Sequence, residues 1–517
     1  MEESARKTQV VIIGAGPTGL SMAAQLIRHQ IDFIILERKE SPTTLSKAIA
    51  VQARTLEIFQ ELGIAEEAMQ RGQLTTGMNL FYQGKQLVDL DLAGLGEGLS
   101  EFAFALSLEQ SKTEQLLLEH LSKNNKEVYW NSELIHIEQS TNGVQATYKN
   151  GQGIKHKIEA DYLVGCDGAS SPTRHQLNLA FEGSTEPKLF YVADVLINSS
   201  VINKNKLYMY MIKKGFILFF PMEGTEHYRI IGILPEHTEA NYEYKFSDVE
   251  SFIKEQIISP LNFVELKWFS SYRVHSRKAN SFMVGRCFLV GDAAHIHTPA
   301  GGQGMNTGIQ DAYNLAWKIA YTLRGEVKDG ILKSYNVERM QNAKHLLETT
   351  DRMFDILSGV NPFWNFLRLN FFPWFLRALS KNKLLKQRIF PLLSQIGIAY
   401  PESYLTLKSK LGKVKAGDRM PYFIFSNGKH IFSYLTEPVF KLLCFGNASA
   451  LHPGREMPIQ LSVISFSEIP KQLFGDATAI FILLRPDNHI SYIGKDPAPC
   501  WTLLREFSSG KTAAKSF

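Results

Sequence analysis

The sequence predicts an α/β protein in which a parallel sheet is interrupted by a mainly antiparallel one and followed by a separate C-terminal unit. Three observations predict it. The β-branched run Thr8–Ile13 (T-Q-V-V-I-I) passes into a glycine-rich turn, a helical pattern and a second buried run. The texture changes to alternating apolar strands from about 190 to 273. It changes again beyond Lys410, through A-G-D-R-M-P.

Leu20–His29 carries apolar residues at helical spacing, and Phe33–Leu36 (F-I-I-L) reads as a second buried strand. Strand, turn, helix and strand in that order open a parallel sheet, because parallel neighbours need a crossover. Helices are expected over about 53–62, ended by Gly63, and about 111–121. Short strands follow to Ile158, with turns at Asn142-Gly143 and Asn150-Gly151, and Asp161–Val164 is another buried strand. Leu207–Met211, Phe216–Phe220 and Tyr228–Ile233 belong to the inserted sheet. Cys287–Val290 returns to buried-strand character, before a glycine-rich loop and a helix over about 305–324. The stretch 351–391 is helical, aromatic-rich and basic. The expected domains are 1–178 with 283–350, an insertion at 179–282, a helical connection at 351–409 and a tail at 410–517.

A chain of 517 residues exceeds one ordinary core, and 44% apolar with 21% charged residues is the composition of a globular protein. A net charge of +5 spread along the chain gives no footprint for nucleic acid. Cys166, Cys287, Cys444 and Cys500 form no C-x-x-C, which suits a reducing cytoplasm and opposes a zinc site. The N-terminus, M-E-E-S-A-R-K, lacks signal-peptide character. The nearest candidate for a membrane span, Phe363–Leu379, is interrupted by Arg368 and Arg377. With Lys381 and Lys383 this aromatic segment reads as a helix packed between domains, and a membrane-interface helix is the alternative. His295-x-His297 has no acidic or cysteine cluster beside it, so no metal is expected. Gly-x-Ser-x-Gly is absent, which removes support for a serine hydrolase.

Gly14, Gly16 and Gly19 occupy a G-x-G-x-x-G that follows a strand, opens a helix and leads to Glu37. That is the Rossmann-like dinucleotide arrangement. Gly14 serves the tight turn, Gly16 lets backbone approach a pyrophosphate, and Gly19 lets helix pack on strand. The helix N-terminus, at Pro17 and Thr18, offers free N–H groups to phosphate. Glu37, followed by Arg38, would accept from ribose hydroxyls and disfavour a 2′-phosphate.

Two later motifs choose between dinucleotides: D-Y-L-V-G-C-D-G-A-S-S-P-T-R at 161–174 and V-G-D-A-A-H-I-H-T-P-A-G-G-Q-G-M-N-T-G at 290–308. With the N-terminal glycines, in this order, the chain resembles the group A FAD-dependent aromatic hydroxylases, the para-hydroxybenzoate hydroxylase-like flavoprotein monooxygenases. The likeness is greatest to the phenol hydroxylase and polyketide hydroxylase type. It covers about 8–345, and the tail resembles the thioredoxin-like C-terminal domain of larger members.

The resemblance implies non-covalent FAD, transient NADPH or NADH, and O2. It implies hydroxylation of an aromatic, polycyclic or otherwise electron-rich small molecule through a C4a-hydroperoxyflavin. Baeyer–Villiger or epoxidising chemistry, antibiotic inactivation, or flavin binding without turnover are the alternatives. Asp292 would reach the ribityl chain, and Pro299, Gly302 and Gly304 would shape a loop beside the ring. The helix from Met305 and Asn306 would aim its N-terminus at the flavin N1–C2=O edge, where reduced flavin carries negative charge. Asp167 and Arg174 match residues near the pyrophosphate and the nicotinamide approach; Gln110 and Arg54 match further cofactor contacts. Lys47 stands where relatives have Arg, which loses the bidentate fork. No substrate-activating base is identified. Tyr210, Phe216, Phe220 and Met222 are the substrate-pocket candidates. The tail lacks C-x-x-C, so packing or oligomer contact, a homodimer included, is its expected work, and it is expected to be dispensable for cofactor binding.

Overall fold

The computed structural model describes residues 5–43, 48–92, 94–199, 202–212, 215–224, 226–234, 242–257, 261–299, 301–358, 362–446 and 459–510. Its first sheet runs Cys287–Leu289, Lys155–Gly165, Arg6–Ile13, Phe33–Leu36, Val128–Tyr129, all parallel. Val10, Val11 and Ile12 are fully buried, as the continuous apolar run requires of a strand covered on both faces. The helix Pro17–Arg28 covers one face and packs against the helix Gly304–Leu323. The antiparallel strands Glu133–Gln139 and Val144–Lys149 extend the edge of Lys155–Gly165.

The second sheet has eight strands, ordered His295–Ile296, Asn262–Ala279, Phe181–Asn198, His227–Ile233, Gly215–Pro221, Lys206–Ile212, Gly77–Tyr82, Lys85–Asp91. Its neighbours are antiparallel except Lys206–Ile212 with Gly77–Tyr82. The last two strands lie far ahead of the expected insertion, so the sheet is built from both sides of it. Alternation splits its side chains between two faces. Tyr208, Tyr210, Ile217 and Phe219 pack under the helix Phe246–Gln256, through Val249 and Ile253. Met209, Met211, Phe216 and Ile233 join the core of the parallel-sheet half.

A long helix, Gly330–Ser358, leads to the helical segments Pro362–Phe366, Leu367–Phe371, Phe372–Lys381 and Lys383–Leu393. The tail carries a four-stranded sheet, Leu461–Phe466, Phe440–Gly446, Ala479–Leu484, Ile490–Gly494. Its first pair is parallel and the others antiparallel. Among the described residues no helix is long and apolar enough to cross a membrane.

The tail is stitched to the first half by buried charge. Arg485 donates to both Glu338 carboxylate oxygens, at 2.7 and 3.0 Å, and to Asp487. Glu338 also accepts from Lys318 at 2.8 Å, Asn314 at 2.7 Å and Ser403 at 2.6 Å. Arg419 bridges Glu57 at 3.2 Å. Removing the tail would strip these partners from Glu338 and Glu57, carboxylates that are buried in the full chain.

Burial pushes the Glu338 carboxyl up, but Arg485 and Lys318 outweigh it and hold it at about 2. A depressed folded pKa stabilises above the unfolded value of about 4.3 and is lost as pH falls through the folded one. Arg485→Met should cost about 3–5 kcal/mol in denaturant unfolding, because Glu338 loses its bidentate partner. Its acid-unfolding midpoint should move to higher pH. Stability within 1 kcal/mol of the parent would mean this network does not hold the two halves together.

Candidate functional site

The three glycines do different work. Gly14 has φ +100° and an added Cβ would lie 2.5 Å from the Cys166 carbonyl oxygen. Its N–H donates to Leu36 O at 2.7 Å, closing the turn. A Cβ on Gly19 would stand 1.9 Å from Gly14 O, so strand and helix touch there. Gly16 is the contrast: φ is −73°, and a Cβ would meet no atom within 4 Å. Two glycines are demanded by the protein itself; the third faces open space.

Gly16 caps the helix Pro17–Arg28 without a side-chain hydrogen bond, leaving its first N–H groups for a ligand. Glu37, buried at the end of its strand, accepts from Ala15 N at 2.7 Å and Lys39 N at 3.1 Å. Its carboxylate is thereby fixed beside the turn, while Arg38 is exposed. Thr18 wedges between two other motifs. Added Cβ atoms on Gly291 and Gly308 would come within 2.6 and 2.3 Å of its hydroxyl.

The strand Cys287–Leu289 ends in a tight turn, Gly291–Ala293, that exposes Asp292. Behind it lies Asp311, fully buried on the helix Gly304–Leu323. One of its oxygens accepts from Gly291 N at 3.0 Å and pairs with His295 Nε2 at 2.7 Å. The other takes Arg339, whose guanidinium also reaches Tyr400 at 2.9 Å and Thr307 O at 3.3 Å. Burial raises the Asp311 pKa, but Arg339 and His295 prevail and hold it below the ordinary value. Sequence reading missed Asp311. Its signal was an acidic residue inside an otherwise apolar stretch of helix, I-Q-D-A-Y.

The glycine loop is held by Asn306. Its carbonyl accepts from Gln52 N at 2.8 Å and Thr55 at 2.7 Å; its amide donates to Ala50 O at 2.8 Å and Gly302 O at 3.0 Å. Gln52 returns a bond to Gly301 O at 3.1 Å. Gly301 and Gly302 both have positive φ, +85° and +63°. A Cβ on Gly302 would meet Ala50 at 2.9 Å, so this glycine is also required by the loop's own packing. The helix starts at Gly304, capped by Gln303 without a side-chain bond, and Pro299 and Met305 are half-buried beside it. His297 Nε2 and Thr298 Oγ1 are buried here without a partner among the described residues.

Other candidates are committed to protein. Asp167 binds Ser171 and accepts from Thr173 N at 2.9 Å, and burial raises its pKa. Arg174 donates to Ala293 O at 2.9 Å and Ala169 O at 2.8 Å, so the middle motif braces the Asp292 turn. Gln110 donates to Glu114 at 2.9 Å and accepts from Ala48 N at 3.3 Å. Arg54 is buried against Glu57 at 2.9 Å and Asp487 O at 3.1 Å, facing the tail. Ser46 and Lys47 lie outside the described residues.

The first turn, the Asp292 turn and the glycine loop therefore form one connected cradle. It has two helix N-termini free of side-chain caps, a fixed carboxylate at Glu37 and open space at Gly16. These residues fit a dinucleotide. The FAD binding domain family matches residues 7–350. The chain belongs to this family.

The 6-methylpretetramide 4-monooxygenase of Streptomyces rimosus is 29% identical over 96% of this chain and 92% of its own. A flavin-dependent monooxygenase of Mycobacteroides abscessus is 30% identical over 93% and 96%. Among solved structures, the OxyS anhydrotetracycline hydroxylase from Streptomyces rimosus has a TM-score of 0.76 at 26% identity, covering 97% of this chain and 99% of that one. PieE, a flavin-dependent monooxygenase solved with FAD and substrate, has a TM-score of 0.79 at 20% identity, a likeness of fold. The protein is an FAD-dependent monooxygenase.

The substrate-pocket candidates of this monooxygenase divide between the faces of the second sheet. Phe216 lies on the inward face, and alternation places Phe220 with it. Tyr210 is on the other face, stacked on Phe81 at 4.8 Å and edge-on to Phe219 at 5.6 Å. Met222 is buried just past the strand. The sequence reading did not single out Arg229, buried on the inward face opposite Phe220. It pairs with both Asp194 oxygens at 2.7 Å, lies 5.8 Å from the Trp268 ring centre and donates to Ala48 O at 3.3 Å.

Gly16→Ala should leave the stability of the FAD-free protein unchanged, since φ and space both admit a methyl. It should weaken FAD binding about tenfold or more, the cost of crowding a close contact. A variant that unfolds, or that binds FAD as the parent does, would displace the cofactor from this turn. Asp292→Ala should weaken FAD binding by the worth of one charge-assisted hydrogen bond, about 1.5–3 kcal/mol. Equilibrium FAD titration should show that loss; unchanged retention would put the ribityl chain elsewhere.

Proposed function

We propose that this monooxygenase hydroxylates an aromatic or polycyclic small molecule, with O2 as co-substrate and NADH or NADPH as a transient reductant. The observation that carries the reading is the place where the second sheet meets the cofactor cradle. Arg229 reaches Ala48 O from the inward face, and Ala50, two residues on, touches the glycine loop at Gly302. Apolar side chains beside Arg229 therefore stand next to the cofactor loop.

Bound FAD supplies the redox chemistry, taking a hydride and activating O2 for transfer to a substrate carbon. The chain's residues orient and shield. Phe216, Leu218, Phe220 and Trp268 offer a flat, apolar lining that favours ring systems and excludes water. The Arg229–Asp194 pair is the charge in this lining. Internally neutral, it offers a substrate polar group a partner without demanding a charged one. The helix N-terminus at Gly304 stabilises negative charge developing beside it. The relatives act on substrates of this class by name, a pretetramide and an anhydrotetracycline.

The tail's sheet order, with one parallel and two antiparallel pairs, supports a thioredoxin-like unit without redox work. Burial pushes the Cys444 thiol up to about 11 and the Cys500 thiol up to about 12, far from thiolate reactivity.

A panel of phenols and polycyclic phenols tests the reading. A true substrate should accelerate NAD(P)H consumption and yield a product heavier by one oxygen. Phe220→Ala should raise KM for that substrate several-fold while FAD retention stays within twofold, as expected when one aromatic wall is lost. NAD(P)H consumption indifferent to every ring compound, with peroxide as the only product, would overturn the proposal.

A further inference from the structure

The helical connection is apolar on both of its sides. Its inner side is accounted for: Leu376 and Leu379 are buried in the main core, and Arg368 is anchored to Ile212 O and Gly215 O at 2.7 Å each. On the outer side, Phe363 and Phe366 are each 63% exposed, Phe371 52%, Trp374 59%, Leu384 71% and Leu392 49%. No other phenylalanine or tryptophan among the described residues is comparably exposed.

The pattern is regular. Phe363, Phe366, Asn370, Trp374, Arg377 and Lys381 fall every third or fourth position and all are exposed. They form one continuous stripe, aromatic at its start and basic at its end. Phe371 and Trp374 support each other, with ring centres 5.3 Å apart. A stripe of this kind on a monomer marks an interaction surface.

Its charge selects the partner. Between Asp355 and Glu402 the sequence holds six Lys or Arg and no Asp or Glu. Arg368 is spent inside; Arg377, Lys381, Lys383 and Arg388 are exposed around the aromatic stripe. The acidic groups facing them are few: Glu97 stands 3.6 Å from Lys383, and Asp89 on the strand beneath is held by Lys206 at 2.6 Å. Exposed Trp and Phe flanked by Arg377, Lys381 and Arg388, which have no acidic partner among the described residues, match the headgroup region of an anionic bilayer, where rings enter the interface and cations meet phosphate. A second copy of the chain would bring the same positive charge to the contact.

We propose that residues 363–392 dock the enzyme on anionic lipid surfaces, lying in the interface without crossing it. Arg368 ties this face to the hairpin between Lys206–Ile212 and Gly215–Pro221, whose inward side chains belong to the proposed substrate wall. A docked enzyme would hold that wall beside the bilayer, the phase in which a poorly soluble polycyclic compound accumulates.

The test is co-sedimentation of the full-length FAD-loaded protein with phosphatidylcholine vesicles, with and without 30% phosphatidylglycerol. Binding is expected to the anionic vesicles, weak to the neutral ones, and reduced by salt. Trp374 should be quenched by brominated acyl chains, and Trp374→Phe should keep binding while losing much of that quenching. The pair Lys381→Glu with Arg388→Glu, and the pair Phe366→Ser with Trp374→Ser, should each weaken binding about tenfold or more while FAD content stays at parent level. Sedimentation velocity gives the competing outcome. A stable dimer that the Phe366→Ser, Trp374→Ser pair converts to monomer would show the stripe to be a self-contact and overturn the proposal. Equal indifference to both vesicle types would overturn it too. Neither result depends on hydroxylase turnover, so the proposed chemistry stands or falls separately.

Discussion

One buried carboxylate holds the cofactor half in register. Asp311 lies on the helix that follows the glycine loop, yet it ties down Gly291 N, at the turn that presents Asp292, and it pairs with His295 and Arg339. Arg339 extends the link to Tyr400 at the edge of the tail. A charge without solvent needs this many partners, and the need works in both directions. Any movement of the Asp292 turn, the helix or the long helix carrying Arg339 leaves one member unpaired. The cradle is therefore rigid at the Asp292 turn and more open at Gly16.

From this anchor the rest of the site follows by short links. Arg174 braces the Asp292 turn through Ala293 O, Asn306 clamps the glycine loop to Ala50, and Arg229 connects the second sheet to Ala48. Three segments far apart in sequence thus meet through buried polar groups, most of them bonded to backbone. Side chains committed to backbone position the chain and leave ligand chemistry to N–H groups and the cofactor. That division of labour suits an enzyme whose cofactor does the difficult step.

The parallel sheet was legible because strands buried on both faces read as unbroken β-branched runs. Gly14, Gly19 and Gly302 were legible because a turn that admits no Cβ leaves only glycine in the sequence, whereas Gly16, which admits one, was legible only from its place in the motif. The strands Gly77–Tyr82 and Lys85–Asp91 were missed, although Gln83 and Gly84 between them have positive φ, the mark of a tight hairpin. Face assignment failed for a different reason. In Lys206–Ile212 and Gly215–Pro221, covered on both sides, nearly every position is apolar, so alternation no longer shows which face is which, and Tyr210 looked equivalent to Phe216. Partners of buried charges were also hidden. Glu338 and Arg485 are 147 residues apart, and nothing local marks them as a pair. The tail consequently looked detachable.

The central claim is that the cradle's FAD delivers an oxygen atom from O2 to an organic substrate. Turnover under 18O2 with NAD(P)H and a ring compound that accelerates its consumption tests this most directly, with the product's mass read by spectrometry. The account predicts one 18O per product molecule and none from labelled water. A product that takes its oxygen from water, or one carrying none at all, would contradict it.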